Sequence, residues 1–261
     1  MPLLTTDVDA VADMLCRAYD QKKQVSLSDL NEYSPTDIDD AYAIQNAVAA
    51  KLWLNNECRT DTWKAGGMGK ELLRYAAPIP PFLVSQSPAL FNADSFHMIG
   101  IEAELAYRLN TDCPKREVPY SDDEVWAAID SVCVTIEVVD TRIKEWQQAG
   151  KWWQLADNQI NGALVVGSGI KGWRSVQPEQ QTVELLIDGV GAELPRRTHP
   201  MGDPLPLLPW TVNHCAQING GLKAGDLITT GSWTGMVFVQ PGSEVTARFT
   251  GIGVATVKFA K

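Results

Sequence analysis

Apolar and polar positions alternate strictly from Met98 to Leu109, and a period of two predicts a strand with one apolar face. Ile99, Ile101, Ala103, Leu105 and Tyr107 fall on the face suited to a core, while Glu102 and Glu104 fall together on the other. A second run, Val132 to Asp140, repeats the arrangement with Glu137 projecting opposite Val134, Ile136 and Val138. Near the N-terminus the period lengthens. Val8, Val11, Ala12, Leu15, Ala18 and Tyr19 recur at helical spacing behind Thr6-Asp7, which predicts an N-cap at Thr6 and a helix to about residue 20. After a polar connection over residues 26–33, Ser34-Pro35-Thr36 is expected to open a second helix carrying Ile38, Ala41, Tyr42, Val48 and Leu52.

Farther along, Ser121-Asp-Asp-Glu124 has the form of a capping box, and Trp146 to Trp153 predicts a short helix or a lid. Asp157 to Gly162 reads as a polar loop before the apolar strand Ala163 to Val166, its side chains suited to turn formation or to ligand contact. Val183 to Ile187 turns at Asp188-Gly189 into Val190 to Leu194, and a helix is expected around Trp210 to Ile218, ending at Gly220-Gly221. Strands follow over residues 225–232, 244–249 and 254–259. Helices first and turn-linked strands after them predict an α+β chain with a curled mixed β core.

Two carboxylates on one largely buried strand face are costly unless positive charge sits between them. Any one glutamate taken alone reads more readily as a residue on a solvated face. The pair, however, is flanked by small nonpolar Gly100 and Ala106, and Glu137 adds a third strand-borne carboxylate. Three such groups suggest a hard-cation site, and on spacing alone both readings stay open. Lys64 enters the glycine-rich stretch Trp63-Lys-Ala-Gly-Gly-Met-Gly-Lys70 from a short strand, so it is either a surface lysine or an ammonium aimed into a cleft. Glu71 follows Lys70 where a phosphate loop requires Ser or Thr, which removes the Walker reading.

The 261 residues, 45% of them hydrophobic, suffice for one large core or for a small domain packed on a larger one. A formal net charge of −10 argues against a nucleic-acid partner. It also leaves capture of an anionic substrate to local positive charge from a metal, a lysine or an arginine. The five cysteines (Cys16, Cys58, Cys113, Cys133, Cys215) are odd in number and form no CxxC pair, as in a reducing compartment. With no apolar run of spanning length and no leader pattern at the start, a soluble cytoplasmic protein without a membrane partner is expected. His97, His199 and His214 form no HExxH motif, and Gly231-Ser232 lacks the GxSxG elbow.

Gly100-Ile-Glu-Ala-Glu104, Ile136-Glu-Val-Val-Asp-Thr-Arg142, Ala156-Asp-Asn158, His199-Pro200, Lys223 to Ser232 and Asp39 to Gln45 together resemble the fumarylacetoacetate hydrolase superfamily. Within it they are most similar to the 2-keto-4-pentenoate hydratase and 4-oxalocrotonate decarboxylase branch. The resemblance implies a mixed β-roll over residues 61–261 with a helical N-terminal segment over residues 1–60, assembled as a homo-oligomer. It implies that Glu102, Glu104 and Glu137 bind Mg²⁺ or Mn²⁺, that Lys64 reaches the substrate beside the metal, and that Asp157 and Ser232 border the cleft. The implied activity is a metal-dependent hydratase acting on a small anionic 2-oxo acid, a 2-hydroxydienoate or 2-oxo-enoate, in aromatic-compound catabolism. Decarboxylation of an oxalocrotonate-type diacid, acylpyruvate C–C hydrolysis and a non-catalytic binding protein are the alternatives on the same scaffold. Two features depart from the branch. Lys64-Ala-Gly-Gly-Met-Gly69 lacks the hydroxyls of the usual Lys-Val-Gly-Leu-Thr-Ser, and Trp233 follows Ser232; both are expected to shape the pocket around the substrate tail.

Overall fold

The computed structural model describes residues 3–56, 58–68 and 73–261, so the end of the glycine-rich stretch, Gly69-Lys70-Glu71, lies outside the described residues. The alternating run becomes the strand Gly100–Leu109, in the middle of a mixed eight-stranded sheet. From one edge the order is Leu73–Pro78, Thr62–Met68, Leu227–Ser232, Gly100–Leu109, Ile129–Val139, Asn161–Ile170 and Val84–Gln86, with Val237–Phe238 pairing on Gly100–Leu109. Thr62–Met68 runs parallel to Leu227–Ser232, and Val84–Gln86 parallel to Asn161–Ile170; the other pairs are antiparallel. A second sheet has the order Val190–Gly191, Val183–Ile187, Glu244–Phe249, Gly253–Ala260 and Ala89–Asn92.

The apolar face of the central strand is what joins the two sheets. Ile101, Ala103 and Leu105 are fully covered, and they share one core with Val134, Ile136 and Val138 from the neighbouring strand and with Val245, Phe249, Val257 and Phe259 from the second sheet. Each large side chain so buried contributes about 1.5–3 kcal/mol. The other face of the strand is thereby turned away from this core, carrying its glutamates with it. The architecture is α+β.

The N-terminal helices Thr5–Gln21 and Ile38–Leu52 form a separate apolar cluster with Trp153, Leu155 and Ala156 of the helix Gly150–Ala156. Their starts differ from the sequence expectation. Leu4 occupies the first cap, its carbonyl accepting from the N–H groups of Asp7 and Val8 at 2.9 and 3.0 Å, so Thr6 lies inside the first turn. Asp37, not Ser34, caps the second helix by accepting from Asp39 N and Asp40 N at 3.0 and 2.9 Å. Thr36 is held outside the helix by its bonds to the Asp40 carboxylate, and residues 27–30 of the expected connection form a helical turn. The capping box at Ser121 is present, heading Asp122–Ala128. Among the described residues no helix is long and apolar enough to cross a membrane.

His214, on the helix Leu207–Ile218, stacks on Trp210 with ring centroids 4.8 Å apart and lies 4.9 Å from the Tyr42 ring. Burial pushes its pKa down to about 4. The unfolded chain therefore takes up this proton first, and stability is lost as pH falls from the unfolded pKa of about 6.5 towards 4. His214→Phe keeps the stack and removes the titration. Relative to the parent, the variant should gain on the order of 1–2 kcal/mol on going from pH 7 to pH 5 in urea unfolding; a difference that does not change with pH would contradict this account.

Candidate active site

Glu102 and Glu137 are directly opposed residues on adjacent antiparallel strands, and Glu104 stands two positions along, opposite Thr135. Register thus puts three carboxylates on one face, their ligand atoms all within 4.8 Å of one another. Each of the two fully buried glutamates has one oxygen held and one left over. Glu104 Oε2 accepts from the Thr229 hydroxyl and from Gly231 N at 3.2 Å, while its Oε1 is buried with no partner among the described residues. Glu137 Oε1 accepts from Lys64 Nζ at 2.7 Å and Asn161 Nδ2 at 3.0 Å, while its Oε2 is likewise unpartnered. Gly231 adopts φ 96° where the Leu227–Ser232 strand bulges against its neighbour, which aims its N–H at Glu104; a side chain there would be strained.

Burial, followed by the field of Glu137, pushes the Glu104 carboxyl well above its usual range against the pull of Lys64. Burial also raises Glu102, again opposed by Lys64. Three carboxylates against one ammonium leave two negative charges uncancelled, the charge of one divalent cation. Leftover oxygens, an all-oxygen donor set and this charge deficit fit a hard cation such as Mg²⁺.

Lys64 is buried on Thr62–Met68, and its Nζ also donates to Gln159 O at 3.1 Å. Burial opposes its charge, but the fields of Glu137, Glu102 and Glu104 outweigh burial and hold the ammonium above the ordinary lysine range. The surface-lysine reading therefore gives way to an ammonium in a carboxylate cage. Residues 64–68 are extended and paired with Leu73–Pro78, with no phosphate loop among the described residues. The Tyr75 ring lies over Gly66, where a Cβ would come within 2.4 Å of it, so the glycine is the space the ring occupies.

A cleft of about 500 Å³ opens onto Lys64, Glu102 and Glu104. Ser232 lines it; the hydroxyl accepts from Gly235 N at 2.9 Å and its strand pairs Ser232 with Glu104. Asp157 does not line it. Its carboxylate is consumed by Arg142, through Nε at 2.5 Å and the backbone N at 3.0 Å, and by the Thr141 hydroxyl at 2.8 Å. A buried guanidinium needs such a partner, so the aspartate expected at the cleft is turned inward beneath it. The polar stretch after it is a short left-handed turn, Asn158–Ile160, that delivers Gln159 and Asn161 to the site.

Three further site residues lie in stretches already singled out in the sequence, but no role could be assigned to them there. Thr229 and Asn161 serve the glutamates through contacts that only strand register creates. His199 lines the cleft, yet burial lowers its pKa to about 4 and both ring nitrogens are used, one on Thr230 O at 3.0 Å and one accepting from Met201 N at 3.2 Å. It is a wall, not a base. Trp233 is fully buried against Phe249 and behind His199, so this departure from the branch pattern shapes the core side of that wall and not the pocket surface. A second cavity of about 490 Å³, between Tyr19, Phe91 and Arg142, contains none of the glutamates.

Comparison with known proteins agrees with this geometry. The 2-keto-4-pentenoate hydratase of Paraburkholderia xenovorans (strain LB400) is 27% identical over 246 residues, covering 85% of this chain and 84% of the relative. A 4-oxalocrotonate decarboxylase of Pseudomonas putida is 27% identical over 241 residues, 88% of each. The solved structure of 4-oxalocrotonate decarboxylase from Pseudomonas putida G7, complexed with magnesium and adipate, superposes with a TM-score of 0.84 over 99% of both chains at 21% identity. The same enzyme complexed with calcium and acetate gives 0.83. The family model for the fumarylacetoacetate (FAA) hydrolase C-terminal domain matches residues 74–260, which include all three glutamates and the strands that carry them. On that match the chain belongs to the fumarylacetoacetate hydrolase family.

Proposed function

We propose that this protein is a metal-dependent lyase, a hydratase of a 2-hydroxydienoate or 2-oxo-enoate in aromatic-compound catabolism. The observation that carries the proposal is the pair of buried glutamates, each with one oxygen fixed and one free, beside a buried lysine at a cleft. Glu102, Glu104 and Glu137 would hold Mg²⁺ or Mn²⁺. When bound, the cation supplies positive charge that stabilises the enolate developing next to the ketone of a 2-oxo acid.

The protein's own groups do the rest. Arg196, exposed at the cleft, draws an anionic substrate in against the net charge of −10. Lys64 Nζ is an ammonium held between Glu137 Oε1 and Gln159 O, placed to neutralise the substrate; it would move a proton at the reacting carbon only with a bound cation offsetting the carboxylate field that holds it protonated. Ser232 supplies a hydroxyl to the same cleft, and Tyr75, Trp146 and Met236 restrict water at its walls. Asp157 supports the site from behind. The reading of the two sheets as a mixed β-roll over residues 61–261, with residues 1–60 as a helical segment packed on it, belongs to the same proposal, as does assembly into a homo-oligomer.

Decarboxylation of a 2-oxo diacid is the second reading, and Arg196 is what favours it. Among the described residues this arginine has no ion-pair partner and faces the cleft, where a distal carboxylate would meet it. Product NMR with added Mg²⁺ on a 2-hydroxydienoate, an oxalocrotonate and an acylpyruvate separates the two. A 4-hydroxy-2-oxo acid from the first substrate is the expected result. Loss of CO₂ from the second without hydration of the first would replace the hydratase reading, and no turnover of any would remove both.

A further inference from the structure

We propose that Arg142 is a positioning residue of the active site: it clamps Asp157 to Asn161 so that this segment holds Lys64 and Glu137 in their working orientation. The proposal rests on the cation site inferred above. Arg142 lies just beyond the Glu137 strand, 3% exposed, and spends its donors on both ends of the segment. Nε and the backbone N hold the Asp157 carboxylate, Nη2 donates to Asp157 O at 2.8 Å, and Nη1 donates to Asn161 O at 2.6 Å. Between those two carbonyls stand three consecutive non-glycine residues in the left-handed region, Asn158, Gln159 and Ile160, with φ of 51°, 54° and 52°.

One such residue is uncommon, and three in a row persist only where the surroundings impose them. Two further contacts help: Asp140 N donates to Ile160 O at 3.0 Å, and Tyr19 of the first helix lies 4.5 Å beneath the guanidinium while accepting from Asn158 Nδ2 at 3.4 Å. What the imposed conformation achieves is visible at the site. It directs Gln159 O at Lys64 Nζ and Asn161 Nδ2 at Glu137 Oε1, the two contacts that leave Glu137 Oε2 free. Relaxation of the segment to right-handed angles would swing the Gln159 carbonyl away from the lysine and release the glutamate. Arg142 touches neither substrate nor cation; it acts through backbone conformation.

The test is Mn²⁺ titration calorimetry on the full chain, with folding followed by circular dichroism. Arg142→Met is expected to weaken Mn²⁺ binding roughly 10–100-fold, the scale for losing a partner that orients a ligand. Glycine adopts the left-handed region without strain and keeps the backbone carbonyl, so adding Gln159→Gly to Arg142→Met should restore part of the lost affinity. A merely structural arginine would not be rescued by a second substitution that removes a side chain. Should Arg142→Met fail to fold, Arg142→Lys, which keeps a charge beside Asp157 but loses the planar fork, carries the same pair of measurements. Parent-like Mn²⁺ affinity in the folded single variant, or no recovery on adding Gln159→Gly, would overturn the clamp while leaving the cation site standing. A parent protein that binds no Mn²⁺ would overturn both.

Discussion

Glu104→Gln removes divalent-cation binding and leaves the cation-free protein at least as stable as the parent. The amide oxygen can still accept from the Thr229 hydroxyl and Gly231 N, so the local bonding survives. What is lost is the charge on the atom that has no other partner, Oε1. Affinity should fall by more than the roughly 10–100-fold that removing an outer partner costs. In the cation-free state the same change relieves a carboxylate that burial and Glu137 already push towards its protonated form. Melting with and without Mg²⁺ reads both effects at once. Saturating the parent at about a hundred times Kd adds about 2.7 kcal/mol, and the variant should show no such rise. A variant that keeps the Mg²⁺-dependent shift would mean that the cation sits elsewhere.

Lys64→Met separates chemistry from cation binding. Turnover should drop by about two to four orders of magnitude, the scale for losing a positioned proton-transfer group. Cation affinity should hold or rise, because a neighbouring positive charge is gone and Asn161 Nδ2 still fixes Glu137 Oε1. Mn²⁺ calorimetry and steady-state kinetics on one preparation distinguish the two quantities. If kcat stays near the parent value, the proton travels by another group.

The parts of this site that can be read in the chain are those that depend on local period. Alternation alone puts Glu102 and Glu104 on one face, and the apolar row between them marks the face that joins the sheets. Glu137 is legible for the same reason, although its exact opposition to Glu102 is a matter of register. Lys64 is ambiguous in the sequence because the negative charge around it comes from strands more than thirty residues away. Asp157 is placed at the cleft by the resemblance alone, and the polar run before the strand gives no hint that an arginine fifteen positions earlier takes its carboxylate. Three successive left-handed residues without a glycine have no local signature at all, since only tertiary contacts stabilise them. The misplaced helix caps have a smaller cause: Asp37 competes with Ser34 for the same role and holds the N–H groups of Asp39 and Asp40.

The parallel pairing of Thr62–Lys64 with Leu227–Thr229 also sets the order in which the site can be built. Glu102, Glu104 and Glu137 sit on strands that are close in sequence and pair antiparallel, so little chain must be closed to bring them together. Lys64 and Thr229 come from distant parts of the chain and reach the glutamates only when Leu227–Ser232 has docked on Gly100–Leu109 and Thr62–Met68 on Leu227–Ser232, a slower search because long loops must be ordered first. During refolding the carboxylates are therefore expected to gather before the ammonium that partly neutralises them arrives. A divalent cation in the medium can then settle the glutamates ahead of Lys64 and act as a template for the strands still to come.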